Sequence, residues 1–331
     1  MANKRDLKAY VRYDGTGRII PGSLILQRFK PKVGNWEEIN AYECCNNTPT
    51  NTFNFDVTAD WSLTTPNVVD ETSFRTFLES GEDGDGDSMN LVDVVITDFS
   101  LIDGRLRCNL SATGELLTIQ ETDITSIISL GNITNLESIT ISNNIITEIP
   151  IDIFSQYTSL INLRINQLNL PIDLSALVNL ESLSANNYGY STLDVSSLVN
   201  LKFFNGGGSS FAPSSLDFTN LFNLENVNLE NNSIALTTVN ISGCTSLTSI
   251  SCYDTPTLTT ILGLEDCSNI AFVQLNNNGL DQTALDYILV SIDDNGFSNG
   301  SITIYGNPGT LSPIGDAARL SLISKGWTVN V

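Results

Sequence analysis

Histidine is absent from the 331 residues. Its absence removes Ser-His-Asp and Cys-His catalysis, imidazole ligation of zinc and the usual general base near neutral pH. Basic side chains are scarce too: 15 Lys and Arg stand against 37 Asp and Glu, and the net charge of -22 repels nucleic acid phosphates. Nucleic acid is therefore not an expected partner. No run of about 18 apolar residues occurs, so no membrane insertion by a helix is expected. The opening MANKRDLKAY lacks the apolar stretch that would follow the basic residues of a secretory signal. The six cysteines (Cys44, Cys45, Cys108, Cys244, Cys252, Cys267) show no CxxC spacing, and without an export signal reduced thiols are expected. Cys44 and Cys45 would point to opposite faces of an extended strand, which argues against a bond between them. Carboxylates are plentiful, but the sequence places no pair across a cleft, so glycosidase chemistry is unsupported and no enzymatic activity is expected.

What the chain does contain is a core's worth of apolar residues, 41%, and an uneven distribution of charge. Residues 1–45 carry eight basic and five acidic side chains, a net +3, whereas the remainder carries a net -25. A basic end on an acidic body points to two parts facing different partners. A solvated strand pair with charged edges would give the same count.

The organising feature is periodic. The frame L-x-x-L-x-L-x-x-N opens at Leu136, Leu160, Leu180, Leu201, Leu224, Leu247 and Ile270, at intervals of 24, 20, 21, 23, 23 and 23 residues. NLESITISNN, NLENVNLENN and NIAFVQLNNN are its fullest copies, and NLKFFNGG is a weak one. Degenerate copies flank the run at Leu117 and Ile119 and at Ile302, Ile304 and Asn307. This frame and period resemble the leucine-rich repeat. The resemblance implies an α/β fold: a solenoid with a parallel β-sheet and a C-terminal helical and strand cap, preceded by a small β-rich N-terminal region. It also implies that Asn144, Asn232, Asn278 and Asn307 bond backbone groups at the bend after each strand, with Leu168, Tyr188, Ser209 and Thr255 in that place in weak copies. In the same register Cys244 and Cys267 stack in successive coils and Cys252 faces inward, which makes all three packing residues.

Beyond the last full copy, Asp281 is positioned to cap a helix with Leu285, Ile288, Leu289 and Ile292 on one face. A second short helix through Ala317, Leu320 and Ile323 should stop at Gly326, before a terminal strand over 327–331. The ending GDAARLSLISKGWTVNV resembles the close of bacterial and phage leucine-rich-repeat chains, where it caps an open-ended solenoid.

At the other end, residues 9–13 and 19–28 read as two strands around a turn at 14–17. The text KAYVRYDGTGRIIPGSLILQRFKPKVGNWEEI resembles N-terminal segments of virion proteins of tailed phages of Bacteroidota, including crAss-like phages. That resemblance implies a virion location, with Lys8, Arg12, Arg18, Arg28, Lys30 and Lys32 docking on other virion proteins. The alternative is a cytoplasmic bacterial repeat adaptor. The chain thus reads as a basic hairpin over 1–45, a small β-rich or α+β domain over 46–112 with a helix near residues 72–79, and a solenoid over 113–331. No cofactor is expected except calcium at Asp83, Asp85 and Asp87, alternate carboxylates on a glycine-rich backbone. Val94 stands where an EF-hand needs its bidentate glutamate, and an acidic surface loop is the competing reading.

The side chains two, four and six residues after each opening position face outward from the sheet. They are mostly Ser, Thr and Asn, with Phe203, Tyr253, Phe272 and Tyr305 towards the C-terminal half and Arg164 and Glu230 as charges. Aromatics among amides and hydroxyls suit a host-surface protein or glycan, and Tyr253 with Phe272 is expected as a diagonal anchor pair. An ordinary solvated sheet face is the competing reading.

Overall fold

The computed structural model describes residues 8–12, 25–27, 36–39, 52–57, 70–80, 91–102, 105–120, 124–142, 146–232 and 235–331. Arg18, Arg28, Lys30, Lys32, the two adjacent cysteines, the run Asp83, Asp85 and Asp87, and Asn144 lie outside them. The chain divides into two compact units, residues 1–52 and 53–331.

In the first unit β1 (Lys8–Arg12) pairs antiparallel with both β2 (Ile25–Gln27) and β3 (Trp36–Ile39). The two strands read from the sequence pair antiparallel, the expected turn at 14–17 lies outside the described residues, and WEEI adds a third strand. Lys8 and Arg12 stand at the two ends of the central strand.

The second unit opens with β4 (Thr52–Val57), α1 (Glu71–Ser80), β5 (Val92–Ile102) and β6 (Arg105–Thr113). There follow β7 (Leu116–Gln120), β8 (Ile124–Leu130), β9 (Asn132–Thr134) and β10 (Ser138–Ser142). Strands β5, β6, β4 and β8 form a sheet in that order, and β9 pairs in parallel with β6. The boundary at residue 112 therefore falls inside β6, whose hydrogen bonds reach β9 beyond it. Helix α1 starts where Asp70 and Ser73 cap each other, Ser73 N donating to Asp70 Oδ1 at 2.8 Å and Asp70 N to Ser73 Oγ at 3.0 Å. Its buried face, Phe74, Phe77 and Leu78, covers β5. The outer edge of β5 is broken by bulges at Asp93 and Asp98, both at positive φ, a device that discourages edge-to-edge pairing.

The repeats then supply β11 (Asn162–Arg164), β12 (Ser182–Ser184), β13 (Phe203–Asn205), β14 (Ser215–Asp217), β15 (Asn226–Asn228) and β16 (Thr238–Asn240). They continue with β17 (Ser249–Ser251), β18 (Thr260–Leu262), β19 (Phe272–Gln274), α2 (Gln282–Asp294), β20 (Ser301–Thr303), α3 (Pro313–Ser324) and β21 (Thr328–Asn330). Ten strands, β7-β10-β11-β12-β13-β15-β17-β19-β20-β21, form one parallel sheet. Its registers stack Ile139, Leu163, Leu183, Phe204, Val227, Ile250, Val273 and Ile302 in one interior column, none more than 2% exposed. Each such side chain contributes roughly 1.5–3 kcal/mol by leaving water, and the frame repeats because each coil must bury its own share.

The bend after the strand is held as the repeat requires. Asn278 Nδ2 donates to Leu275 O at 3.1 Å, and its Oδ1 accepts Thr255 N at 2.9 Å from the preceding coil. Asn307 Nδ2 donates to Ile304 O at 2.7 Å, and its Oδ1 accepts Asn278 N at 3.2 Å. Asn232 Nδ2 donates to Leu229 O at 2.8 Å. Thr255 substitutes for asparagine by accepting Asn232 N at 3.3 Å, and the buried Tyr188 sends its hydroxyl to Leu170 O at 2.9 Å.

Two features of the coils were not read from the sequence. Strands β14, β16 and β18 form a second parallel sheet, with Leu216, Val239 and Ile261 aligned in its register and buried. A further asparagine ladder holds the approach to the main sheet: Asn179, Asn200, Asn223 and Asn269 each donate to a carbonyl of the preceding coil at 2.8–3.0 Å. Part of the acidic surplus is also structural. Asp173, Asp194 and Asp217 each accept the backbone N–H two residues on, at 2.8–3.0 Å, in a repeated Asp-x-Ser/Thr turn. These bonds hold the carboxyls of Asp173 and Asp194 below their usual range.

At the cap, Asp281 Oδ1 accepts Ala284 N at 2.9 Å, and Leu285, Ile288, Leu289 and Ile292 are buried as expected. Helix α3 is rotated from the expected orientation. Gly315, Ala318 and Leu322 face inward, while Ala317, Leu320 and Ile323 are exposed, the last two at 54% and 45%. The cause is close packing on α2: a Cβ at Gly315 would meet Asp286 Oδ1 at 1.9 Å, so the smallest side chains must take the contact. Gly326 ends the helix at φ +85°, and β21 follows as the terminal strand.

Candidate binding face

Successive residues of a strand alternate between interior and surface, so the main sheet presents three rows of outward side chains. The first row runs Ser138, Asn162, Ser182, Phe203, Asn226, Ser249, Phe272, Ser301. The second row includes Thr140, Arg164, Ser184, Asn205, Asn228, Ser251, Gln274 and Thr303. Two residues further on, Asn186, Gly207, Glu230, Tyr253, Asn276 and Tyr305 continue the outward alternation as a third row. Phe203, Phe272 and Tyr305 are 48%, 43% and 50% exposed, and Tyr253 is partly buried. Arg164 is exposed, in the second row.

The register corrects the expected anchor pair. Phe272 lies opposite Ser249, four residues before Tyr253, so about 13 Å along the strand separates Phe272 from Tyr253. The aromatics divide instead by row. Phe203 and Phe272 belong to the first, Tyr253 and Tyr305 to the third, with Asn276 between the two tyrosines. The outward face is also not uniformly open, because Thr118, Thr140 and Ser142 on β7 and β10 are buried.

Hydrogen bonds hold several residues of the third row. Asn166 Oδ1 accepts Ser184 Oγ and Asn186 N, each at 2.9 Å, and Asn186 Oδ1 accepts Gly207 N at 3.0 Å. Glu230 holds the Tyr253 hydroxyl, and the carboxylate raises the phenol's pKa. Asn277 Nδ2 donates to Asp254 Oδ1 at 2.7 Å across neighbouring coils, fixing the turn beyond the tyrosines. A face so braced is preorganised, which lowers the ordering cost of binding.

The fold is a leucine-rich-repeat solenoid. No protein-family model matches the chain, and no curated protein matches it. Among solved structures it is similar to the functional domain of InlJ from Listeria monocytogenes, described as including a cysteine ladder. Identity there is 15%, over 65% of this chain and 53% of that one, with a TM-score of 0.46. An internalin of the same organism, inlF, gives 15% identity over 65% and 82% of the two chains at TM-score 0.28. A leucine-rich-repeat protein of Leptospira interrogans gives 16% over 59% and 72% at 0.24. The chain spans about half the length of the first. Among the described residues no helix is long and apolar enough to cross a membrane.

The four described cysteines, Cys108, Cys244, Cys252 and Cys267, are buried rather than on the outward rows. Cys244 and Cys267 occupy one position in successive coils, with Cys244 Sγ 3.2 Å from Phe218 O and Cys267 Sγ 3.4 Å from Gly263 O. Burial pushes Cys108, Cys244 and Cys267 up to about 12, and Cys252 higher still. A thiol that cannot ionise is a poor nucleophile. We therefore expect Ellman's reagent to leave these four unmodified in the native protein at mildly alkaline pH and to modify all of them after denaturation. Prompt native reaction at any of the four would contradict this.

Proposed function

We propose that the protein is a non-enzymatic structural or decorative component of a tailed-phage virion. Its N-terminal segment docks on other virion proteins, and its acidic repeat domain is exposed for adhesion to a host-surface protein or glycan. The observation that carries the adhesive half is the braced outward face, on which exposed aromatics stand among fixed amides. The docking half is supported by the +3 balance of residues 1–45 against -25 elsewhere, and by the phage-like text of the same segment. Mass spectrometry of purified particles tests the reading: the protein should be present, and a chain lacking residues 1–45 should fail to incorporate. Absence of the full chain from particles, or incorporation of the shortened one, would overturn it.

A second reading is an intracellular bacterial leucine-rich-repeat adaptor. It is favoured by the four buried, unoxidised thiols, which suit a reducing compartment. A gene neighbourhood without virion genes would select it.

A further inference from the structure

Asn276 stands in the third row between Tyr253 and Tyr305. It is 4% exposed, and its Oδ1 is buried with no hydrogen-bond partner among the described residues. The bend is held by Asn278 and the turn by Asn277, so the fold makes no use of that oxygen. Leaving a buried acceptor unpaired costs about 1–3 kcal/mol, a cost relieved when a donor reaches it.

The surroundings define which donor. Tyr253 and Tyr305 flank Asn276 on the neighbouring strands, about 9.6 Å apart at two strand spacings. A group held midway lies about 5 Å from each tyrosine row, within the roughly 6 Å over which a cation is attracted to a ring face. The charge around it has one sign. Glu230 adjoins Tyr253 and Asp254 follows it, while no Lys or Arg occupies 226–230, 249–254, 272–277 or 301–305. A neutral sugar hydroxyl would gain nothing from this field, whereas a cationic donor gains from both the carboxylates and the rings.

We propose that the gap between Tyr253 and Tyr305, over Asn276, receives an arginine side chain of a protein partner. The guanidinium is planar, stacks on aromatic faces and carries five N–H donors, so one group can meet both rings and still reach the amide oxygen. Because Oδ1 is buried, admitting the guanidinium requires a side-chain movement at the site, and Tyr305, half exposed, has room to move. This rests on the reading of the outward face as a binding face and narrows it to a protein partner carrying arginine.

The test uses the full chain and small probes. Saturation-transfer NMR is recorded with N-acetyl-arginine amide, with its citrulline and lysine counterparts, and with cellobiose as a neutral sugar, at physiological salt. The arginine probe should give a signal that the citrulline probe and cellobiose lack, with the lysine signal several-fold weaker. Tyr305→Ala and Asn276→Leu should each reduce the arginine signal at least fivefold, while Val199→Ala, an exposed position outside the outward rows, should leave it intact, all with unchanged circular dichroism spectra. Equal signals from arginine and citrulline, a dominant cellobiose signal, no signal at all, or an arginine signal indifferent to Tyr305→Ala would each overturn the proposal. Failure of the wider reading is distinguishable: host-cell binding would then survive simultaneous Phe203→Ala, Phe272→Ala and Tyr305→Ala substitution.

Discussion

Gly206→Leu, which restores the residue type the repeat frame calls for, should destabilise the protein by about 3 kcal/mol, the upper end of the usual range for overpacked cores. Other coils place Ile141, Ile165, Leu229, Leu275 and Ile304 in this inward slot. In this coil the space is already filled: a Cβ at Gly206 would lie 2.6 Å from Phe204 Cε1 and 3.0 Å from Phe211 Cε2. Phe204 in turn meets Phe218 edge-on at a centroid distance of 5.0 Å, and all three rings are buried. Rigid rings in contact have no free rotamer to yield with. Phe204→Ala should cost about 3–5 kcal/mol by the opposite route, an unfilled cavity. Phe204→Leu combined with Gly206→Leu should recover much of the loss, because it exchanges the large-small pair for the pair found elsewhere. Urea unfolding followed by circular dichroism measures all three. A Gly206→Leu midpoint equal to or above the parent's would sink the account. Since each coil contacts only its neighbours, the destabilised variants should also unfold over a broader range of urea than the parent.

The same coil shows where sequence reading stops. The period and the inward column were legible because burial imposes one chemical demand every 20–24 residues. NLKFFNGG looked degenerate because the frame is scored one position at a time, whereas packing exchanges volume between positions, here Phe204 for Gly206. The second parallel sheet was visible in outline, since Leu216 and Phe218, then Val239 and Ile241, alternate with polar residues. Three-residue strands give too little alternation to separate from a loop. For α3 the apolar spacing of Ala317, Leu320 and Ile323 was a fair indication of a buried face, and contact with α2 overrode it in favour of Gly315 and Ala318. The binding face was legible by composition and misread by register. Tyr253 and Phe272 differ by two outward positions within the frame, and only the strand pairing turns that difference into about 13 Å. Asn276 carried its own signal, the first of three consecutive asparagines of which the bend needs only the third.

Asn278→Ala should cost about 1–3 kcal/mol, because it strands the buried backbone N–H of Thr255. Thr255 N loses the acceptor at 2.9 Å, whereas Leu275 O, which loses a donor at 3.1 Å, keeps Asn307 Nδ2 at 2.9 Å. Asn269→Ala removes a bond of similar length, 2.9 Å to Thr245 O, but at an exposed site where water takes over, and should cost no more than about 1 kcal/mol. Thermal unfolding of the two variants side by side decides between burial and bond count; equal losses would mean that the ladder asparagine is not special. Asn278→Asp adds a test of sign. The introduced carboxyl, when protonated, can still accept Thr255 N and donate to Leu275 O, whereas the ionised form turns two acceptors towards that carbonyl inside the core. Its folded pKa is therefore raised above the unfolded value of about 3.9. Stability relative to the parent is greatest below that value and falls as pH rises towards the folded pKa, so this variant should lie closer to the parent at pH 4 than at pH 7. The reverse ordering would show that the ladder position is open to solvent.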